Sequence, residues 1–384
     1  MTVTAYVLRD SVTRLWGVSA RERLKRQTNQ IGGVTWPAQG SSPDAVHEID
    51  GGGLLLLDAT FLFEPRTLSE LLDKPNSVLC LLEQPAAAFV DYNHFDAVKA
   101  YFDDPGVNNV PPRVQKLSCN DLRAFDDTLR RSEPPLLEVI DESQSQRLES
   151  ILYGNSYKGI TDFVTKWVWP RPARRGVRVC ADLGITPNMV TTLGFVLVFA
   201  AGYFFSKGYY ATGLICGWIM TYLDTVDGKL ARVTVQSSRV GHFFDHGVDL
   251  VHPPFWYYFW GTSLTAFEPV FGLGISTMTI WIVSAYVIGR IAEGLFQLLG
   301  TCGVFTWRPF DAWVRLFTAR RNPCLIILSV SVIVGVPSWG VVGVFIWTVL
   351  STLQLAARFV QGLLVRMTSG PLSSWLEDEN AQEK

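Results

Sequence analysis

The sequence predicts a two-part chain, a soluble α/β domain over residues 1–150 followed by an all-α polytopic membrane domain of six transmembrane helices. Three observations carry this reading. The 48% hydrophobic content is unevenly spread, with long apolar runs only after about residue 184. Before that point the apolar runs are of strand length and closed by turn residues. The loops between the later runs are basic on one side of the chain's path and nearly uncharged on the other. An interfacial juxtamembrane segment over 151–183 joins the parts, the membrane domain covers 184–366, and a polar tail covers 367–384.

In the N-terminal part, Leu54-Leu-Leu-Leu-Asp58 follows three glycines and has the length of a buried strand ending at a turn. Ser77 to Leu82 predicts a second strand, and helices are expected over Ala20–Thr28 and Ser118–Arg131. Pro37 to Pro43 has loop composition. From Lys158 to Asp182, Phe163, Trp167 and Trp169 alternate with Lys166, Arg171, Arg174, Arg175 and Arg178. Rings and basic heads together suit a membrane surface facing anionic lipid, or else a basic linker. Thr186-Pro-Asn188 opens a helix, with Thr at the N-cap and Pro where its missing N–H costs nothing.

Apolar runs then occupy Thr186–Phe205, Tyr209–Leu223, His242–Leu264, Val270–Leu299, Cys324–Val336 and Val341–Leu364. Most approach the roughly 20 residues a helix needs to cross the bilayer, the fifth being shortest. Arg232 and Arg239, then Arg308, Arg315, Arg320 and Arg321, then Arg366 fall on one side, with little beyond Lys207 opposite. Both termini are therefore expected in the cytoplasm.

The balance of 33 basic and 35 acidic residues argues against a nucleic-acid partner. Cys80, Cys119, Cys180, Cys216, Cys302 and Cys324 form no CxxC or Cys/His pattern and read as reduced packing residues. Near the N-terminus, Arg9, Arg14 and Arg21 interrupt any apolar run, so no cleaved signal peptide is expected and insertion relies on the internal spans.

The chemistry lies in Asp224-Thr-Val-Asp-Gly-Lys-Leu-Ala-Arg232, eight further residues, and Gly241-His-Phe-Phe-Asp-His-Gly-Val-Asp249. Four carboxylates at the ends of apolar helices are costly without a compensating partner, and divalent cations supply one. Asp224 and Asp227 are three apart, Asp245 and Asp249 four apart, so each pair shares a helical face. Two cations roughly 3.5–4 Å apart between such faces can hold a pyrophosphate and stabilise attacking and leaving oxygens. Gly228 and Ala231 beside the first pair, and Gly241 one turn before Asp245, leave room for a nucleotide against the backbone. Arg232 adds a fixed charge suited to phosphate.

These residues match D-x2-D-G-x2-A-R-x8-G-x3-D-x3-D at every fixed position, and the segment resembles the CDP-alcohol phosphotransferase family. The resemblance implies that Asp224, Asp227, Asp245 and Asp249 bind two Mg²⁺ or Mn²⁺ ions. It implies that Asp249 is also the base for an acceptor hydroxyl, which attacks the β-phosphate of a CDP-alcohol or CDP-lipid and releases CMP. It further implies six helices around a cavity open to cytoplasm and bilayer, a homodimer, and a bacterial inner-membrane setting. Thr186-Pro-Asn-Met-Val-Thr191 is similar to the family's TPNxxT opening of the first span, which brings Asn188 and Thr191 near the nucleotide; the same residues also read as a simple helix cap. Ser238 matches a position where a hydroxyl reaches phosphate.

Other signals are weaker. His242 and His246 lack the further ligands of a zinc site. Arg290 and Arg358 lie inside apolar spans; either Arg290 pairs with Glu293, or both bind a phosphate on a polyol-phosphate acceptor, as in relatives with such acceptors. Arg320-Arg-Asn-Pro323 reads as a cytoplasmic loop touching lipid headgroups. Leu15 to Arg23 and Leu54 to Phe61 resemble parts of the inositol-phosphate cytidylyltransferase domain fused to this enzyme type, without its glycine-rich loop. Residues 1–150 are therefore expected to be a degenerate nucleotidyltransferase. The competing classes are an ion-binding transporter and a catalytically silent scaffold.

Overall fold

The computed structural model describes residues 3–37, 52–107, 109–236, 239–264 and 267–377, and for 239–246, 248 and 249 the helical backbone alone. The chain forms two compact units. One comprises Met1–Asp126, Ser132–Ser156 and Arg232–Gln236; the other comprises Asp127–Arg131, Tyr157–Ala231 and Ser237–Lys384.

The first unit is α/β. Its elements in order are β1 (Val3–Arg9), the hairpin β2 (Arg14–Leu15) and β3 (Val18–Ser19), α1 (Ala20–Ile31), β4 (Val34–Thr35), β5 (Gly53–Asp58), β6 (Phe61–Phe63) and α2 (Pro65–Leu72). Then follow β7 (Ser77–Leu81), β8 (Gln84–Asp91), α3 (Phe95–Asp103), β9 (Gln115–Leu117), β10 (Phe125–Asp126), β11 (Arg131–Ser132), β12 (Leu137–Val139) and α4 (Ser145–Asn155). A six-stranded sheet runs β4-β1-β5-β8-β7-β9, parallel between β1 and β5 and antiparallel between β5 and β8.

The leucine run of β5 is buried on both faces. Leu55 and Leu57 join Leu24 of α1 and Leu68 and Leu71 of α2, while Leu54 and Leu56 join Phe95, Val98 and Phe102 of α3. A strand covered on both faces needs no polar alternation, which is why it reads as an unbroken apolar run.

The helix expected over Ser118–Arg131 does not form. Ser118 and Asp121 close a capping box around a single 3₁₀ turn, Cys119–Asp121, and Leu122 is extended. The Arg66 guanidinium then donates to the carbonyls of Arg123, Ala124 and Glu133, at 3.2, 2.8 and 2.6 Å, satisfying groups that a helix would otherwise pair. Leu122, Phe125 and Leu129 have helical spacing in sequence, but that long-range partner fixes a different backbone.

The second unit is helical. A π-turn at Val164–Val168 leads into α5 (Pro170–Asp182), then α6 (Pro187–Ser206), α7 (Tyr210–Val233), α8 (Arg239–Ser263), α9 (Ile275–Phe296), the short α10 (Val304–Trp307) and α11 (Pro309–Val314), α12 (Arg321–Ile333) and α13 (Pro337–Ser369). Its core gathers Phe205, Met220, Trp256, Trp260, Ile282, Leu325 and Val344 from six of these helices. Trp256 and Trp260 donate their indole N–H groups to the carbonyls of Val198 and Pro337, so the large rings are buried with no orphaned donor.

Among the described residues, three helical stretches are long and apolar enough to cross a membrane: Pro187–Ser206, Ile275–Leu299 and Pro337–Ser369. Six such helices were expected. Of the other three expected spans, α12 has only 13 residues, α7, though 24 residues long, carries Asp224, Asp227, Lys229 and Arg232, and α8 is described only in part. In α5, Ala173 and Val177 are buried while Arg171, Arg174 and Arg175 are exposed, giving one packed face and one basic face.

Candidate active site

Helix α7 is positioned by contacts from α5 and the turn before it. A Cβ on Gly176 would lie 2.3 Å from the Tyr222 hydroxyl and 2.9 Å from Val226 Cγ2, so only glycine permits this approach. Tyr222 donates to the carbonyl of Pro172 at 3.3 Å, and Trp169 meets Tyr222 edge-on, with ring centroids 5.6 Å apart. These contacts hold the turn of α7 that carries Asp224 and Asp227.

The two carboxylates have different surroundings. Asp227 is buried, and the Thr191 hydroxyl on α6 donates to its Oδ2 at 2.6 Å. Thr186 occupies the N-cap position of α6 in extended backbone but makes no side-chain cap bond; Pro187 is the first helical residue, as expected. Thr191, expected near a nucleotide, thus braces a candidate metal ligand, while Asn188 is exposed. Asp224 accepts from Arg321 Nη2 at 2.5 Å.

Asp245, Asp249 and Gly241 lie on α8, but their side chains are outside the described residues, as is Ser238 entirely. Among the described residues no cluster of three His, Cys, Asp or Glu side chains forms. Pro253 and Pro254 follow inside α8 and release the carbonyls four residues earlier, those of Asp249 and Leu250, from the helical ladder. His242 and His246 likewise fall where only the backbone is described.

Two basic residues of the motif segment are engaged. The Lys229 ammonium lies 3.4 Å from the centroid of Tyr157 and is buried, and Arg232 donates to the Ser156 carbonyl at 3.1 Å. Gly228 and Ala231 are half-buried on the same helix.

A second group of charges surrounds the ends of α9, α11 and α12. Glu293 accepts from both Arg290 and Arg320. Arg290 also lines an apolar groove of about 690 Å³ between α8 and α9, formed with Val251, Phe255, Tyr258, Val287 and Ile291. Arg358 is held by Asp311 through two bonds of 2.6 and 2.5 Å and by Gln361 at 2.6 Å. Arg320 and Arg321, expected in a headgroup-facing loop, instead pair with Glu293 and Asp224, because α12 starts three residues before its apolar run does.

Asp162 anchors the segment before α5. It accepts from the backbone N–H groups of Val164 and Thr165, each at 3.1 Å, and from Asn322 at 2.9 Å. Burial alone would raise its pKa, but Arg315 and the bonds from Asn322 and Thr165 outweigh it and hold the carboxyl below its usual value. Burial, and then the neighbouring Arg320, push Arg315 down to about 9.

Sequence reasoning passed over four of these residues. Lys229 occupies a variable place in the motif, Arg321 lies 97 residues from Asp224, and Asp162 and Arg315 belong to no pattern. A buried cation directly after Asp227-Gly228 was the available signal.

Comparison with known proteins agrees on the segment concerned. Residues 184–349 match the family model for CDP-alcohol phosphatidyltransferase. The archaetidylinositol phosphate synthase of Pyrococcus horikoshii is 38% identical over 80 residues, 21% of this chain and 42% of that protein. Choline/ethanolaminephosphotransferase 1 of Arabidopsis thaliana is 31% identical over 147 residues, 35% of this chain and 36% of its own length. Cholinephosphotransferase 1 of Mus musculus is 40% identical over 120 residues, 29% and 30% of the respective chains. The chain thus spans less than half the length of these relatives.

Proposed function

We propose that the chain is a member of the CDP-alcohol phosphatidyltransferase family, whose model residues 184–349 match, and that it moves a substituted phosphoryl group from a CDP-activated alcohol or lipid to an acceptor hydroxyl. The observation that carries this is the complete eight-position motif on the consecutive helices α7 and α8 inside the matched segment.

In the reaction the acceptor oxygen bonds to the β-phosphorus, the bond from that phosphorus to the bridging oxygen breaks, and the electron pair leaves with CMP. Asp249 takes the acceptor's proton. Asp224 and Asp227, with Asp245 and Asp249, supply hard oxygen donors of the type Mg²⁺ and Mn²⁺ prefer, and Asp227 is already fixed by Thr191. When bound, two such ions neutralise the pyrophosphate and stabilise the leaving oxygen. Arg321 positions Asp224, and Arg232, with Gly228, Ala231, Gly241, Ser238 and Asn188, borders the nucleotide. The acceptor's own phosphate, where it has one, faces the basic residues of α9 and α13, Arg290 and Arg358.

We assign all six helices α6, α7, α8, α9, α12 and α13 to the bilayer, with both termini cytoplasmic in a bacterial inner membrane and the chain acting as a homodimer. We read residues 1–150 as a nucleotidyltransferase-like domain without activity. What supports this is the missing glycine-rich loop: Asp58, at the end of β5, has one carboxylate oxygen bonded by the backbone and hydroxyl of Thr60 at 2.9 and 2.6 Å and the other only 3.5 Å from Arg9, with no such loop in the sequence before Leu15 to hold a nucleotide beside it.

The test is CMP release by the full chain in lipid with Mg²⁺ or Mn²⁺, across paired CDP-alcohols and acceptors, beside Asp249→Asn. Release with a matched pair, abolished in the variant, is expected. Failure of every pair together with cation flux in vesicles would replace this reading by a transporter.

A further inference from the structure

Beside the start of α5 the second unit carries a row of aromatic rings that the transferase motif does not use. Phe163 and Trp167, at the π-turn, meet edge to face with centroids 5.1 Å apart. Phe163 stacks on Phe317 at 6.2 Å, Phe317 meets Trp313 at 5.7 Å, and Trp313 lies 6.4 Å from Phe310 of α11. All five rings are exposed, Trp167 being 54% and Trp313 60% accessible. Rings that touch one another and stay open to the outside make a continuous apolar surface, which a protein in water rarely leaves uncovered.

The ledge joins two segments distant in sequence, and backbone bonds set its shape. The Phe163 N–H donates to the Leu316 carbonyl at 3.0 Å, and Trp347 of α13 donates its indole N–H to the Phe317 carbonyl at 2.6 Å. Asn322 of α12 holds Asp162, the residue before Phe163. The rings therefore face outward by construction, without a core of their own.

Charge of one sign continues the row. From Phe163 to Ala181 the sequence has five basic residues and no acidic one. Lys166 places its ammonium 5.2 Å from the centroid of Trp167. Arg171 lies one turn after Trp167 and Arg175 one turn after Arg171, both exposed, and neither makes an ion pair among the described residues. Ala173 and Val177 take the opposite, buried face of α5.

The position of this surface along the chain identifies what covers it. Helix α5 ends at Asp182, and α6, long and apolar enough to cross a membrane, starts at Pro187. Five residue steps reach at most about 17 Å, so the end of α5 lies within that distance of the bilayer. Indole rings beside cationic heads seat at the headgroup level, and basic groups without counter-ions match anionic headgroups.

We propose that the aromatic ledge and the basic face of α5 together bind anionic phospholipid at the bilayer surface. The rings enter the headgroup region, and Arg171 and Arg175 take the phosphates. Lipid held here is neither donor nor acceptor, so this site and the phosphotransferase reading stand or fall separately.

The test uses the full chain in nanodiscs of phosphatidylcholine alone, of phosphatidylcholine with phosphatidylglycerol, and of the second mixture at high salt. Amide hydrogen exchange is followed over residues 163–182 and 308–317, and the lipids retained per chain are counted by mass spectrometry after release from the disc. Phosphatidylglycerol is expected to slow exchange over residues 163–182 and to be retained in preference, with salt reversing both. Arg171→Gln combined with Arg175→Gln is expected to lower that preference about fivefold per lost charge. Trp167→Ala should speed exchange in either lipid. These positions are exposed, and unfolding temperature serves as the folding control. Equal exchange and retention in the two lipids, or a preference untouched by the double substitution in a folded chain, would overturn the proposal. Protection that ignores headgroup charge and disappears when each disc holds one chain would assign the ledge to a second copy and overturn it as well.

Discussion

At Asp224 and Asp227, identity was legible and environment was not. The spacing of two acids within a fixed motif identifies them, because periodicity places them on one face of any helix. Their partners Arg321 and Thr191 come from other helices, and no local pattern announces them. Arg321→Gln is expected to remove the counter-charge of a largely buried carboxylate and to lower stability by about 3 kcal/mol. Added Mg²⁺ should restore part of that loss by binding the folded state alone. Thermal unfolding with and without Mg²⁺ checks this: an equal deficit in both conditions would mean that Arg321 does not act on the cation site. Thr191→Val is nearly isosteric and leaves Asp227 one bond short, a cost of about 1–3 kcal/mol. If Thr191 positions the ligand, CMP release falls while the acceptor KM holds; a raised donor KM with unchanged stability would return Thr191 to the nucleotide.

Whole elements were readable where their energetics are local. The run Leu54–Asp58 was recognisable because both faces of β5 are covered; the helix expected over Ala20–Thr28 forms as Ala20–Ile31, with Ser19 accepting from the Glu22 N–H in its first turn. Residues 118–131 were misread because their backbone is satisfied by Arg66, more than fifty residues away. Helix placement in the second unit depends on similarly distant fits. Gly176→Ala is expected to force α5 from α7 and cost about 1–3 kcal/mol, with Tyr222→Phe recovering part by removing the nearest atom; an unaltered unfolding temperature would refute this packing. Arg358 joins α13 to the fully buried Asp311, so Arg358→Ala should cost about 3–5 kcal/mol. A folded Arg358→Ala of normal stability but raised acceptor KM would instead place Arg358 at the acceptor.

Over the whole molecule, the question that composition left open is how many helices cross the bilayer. Among the described residues length and hydropathy pick out three, and each charged residue at a helix centre costs roughly 2.5–3.5 kcal/mol on insertion scales. That cost applies to an isolated helix. In α7, Asp224 is paired with Arg321, Asp227 is bonded by Thr191, and Lys229 is capped by the Tyr157 ring, so the assembled unit offsets much of what hydropathy counts against the helix. Helix α12 is about 20 Å long at 1.5 Å per residue, short of the roughly 30 Å hydrocarbon core, and requires local thinning or entry of its Gly335 turn into the outer interface. The two counts differ in parity, which makes them separable. Three crossings put the N-terminal unit and the segment after Ser369 on opposite sides of the membrane; six put them on the same side, with the Lys207–Gly208 turn opposite. Reporters fused at each end and an accessibility probe at Lys207 should therefore show both ends cytoplasmic and Lys207 outside. Ends on opposite sides would remove α7, α8 and α12 as a set from the bilayer and require the four-aspartate segment to work at its surface.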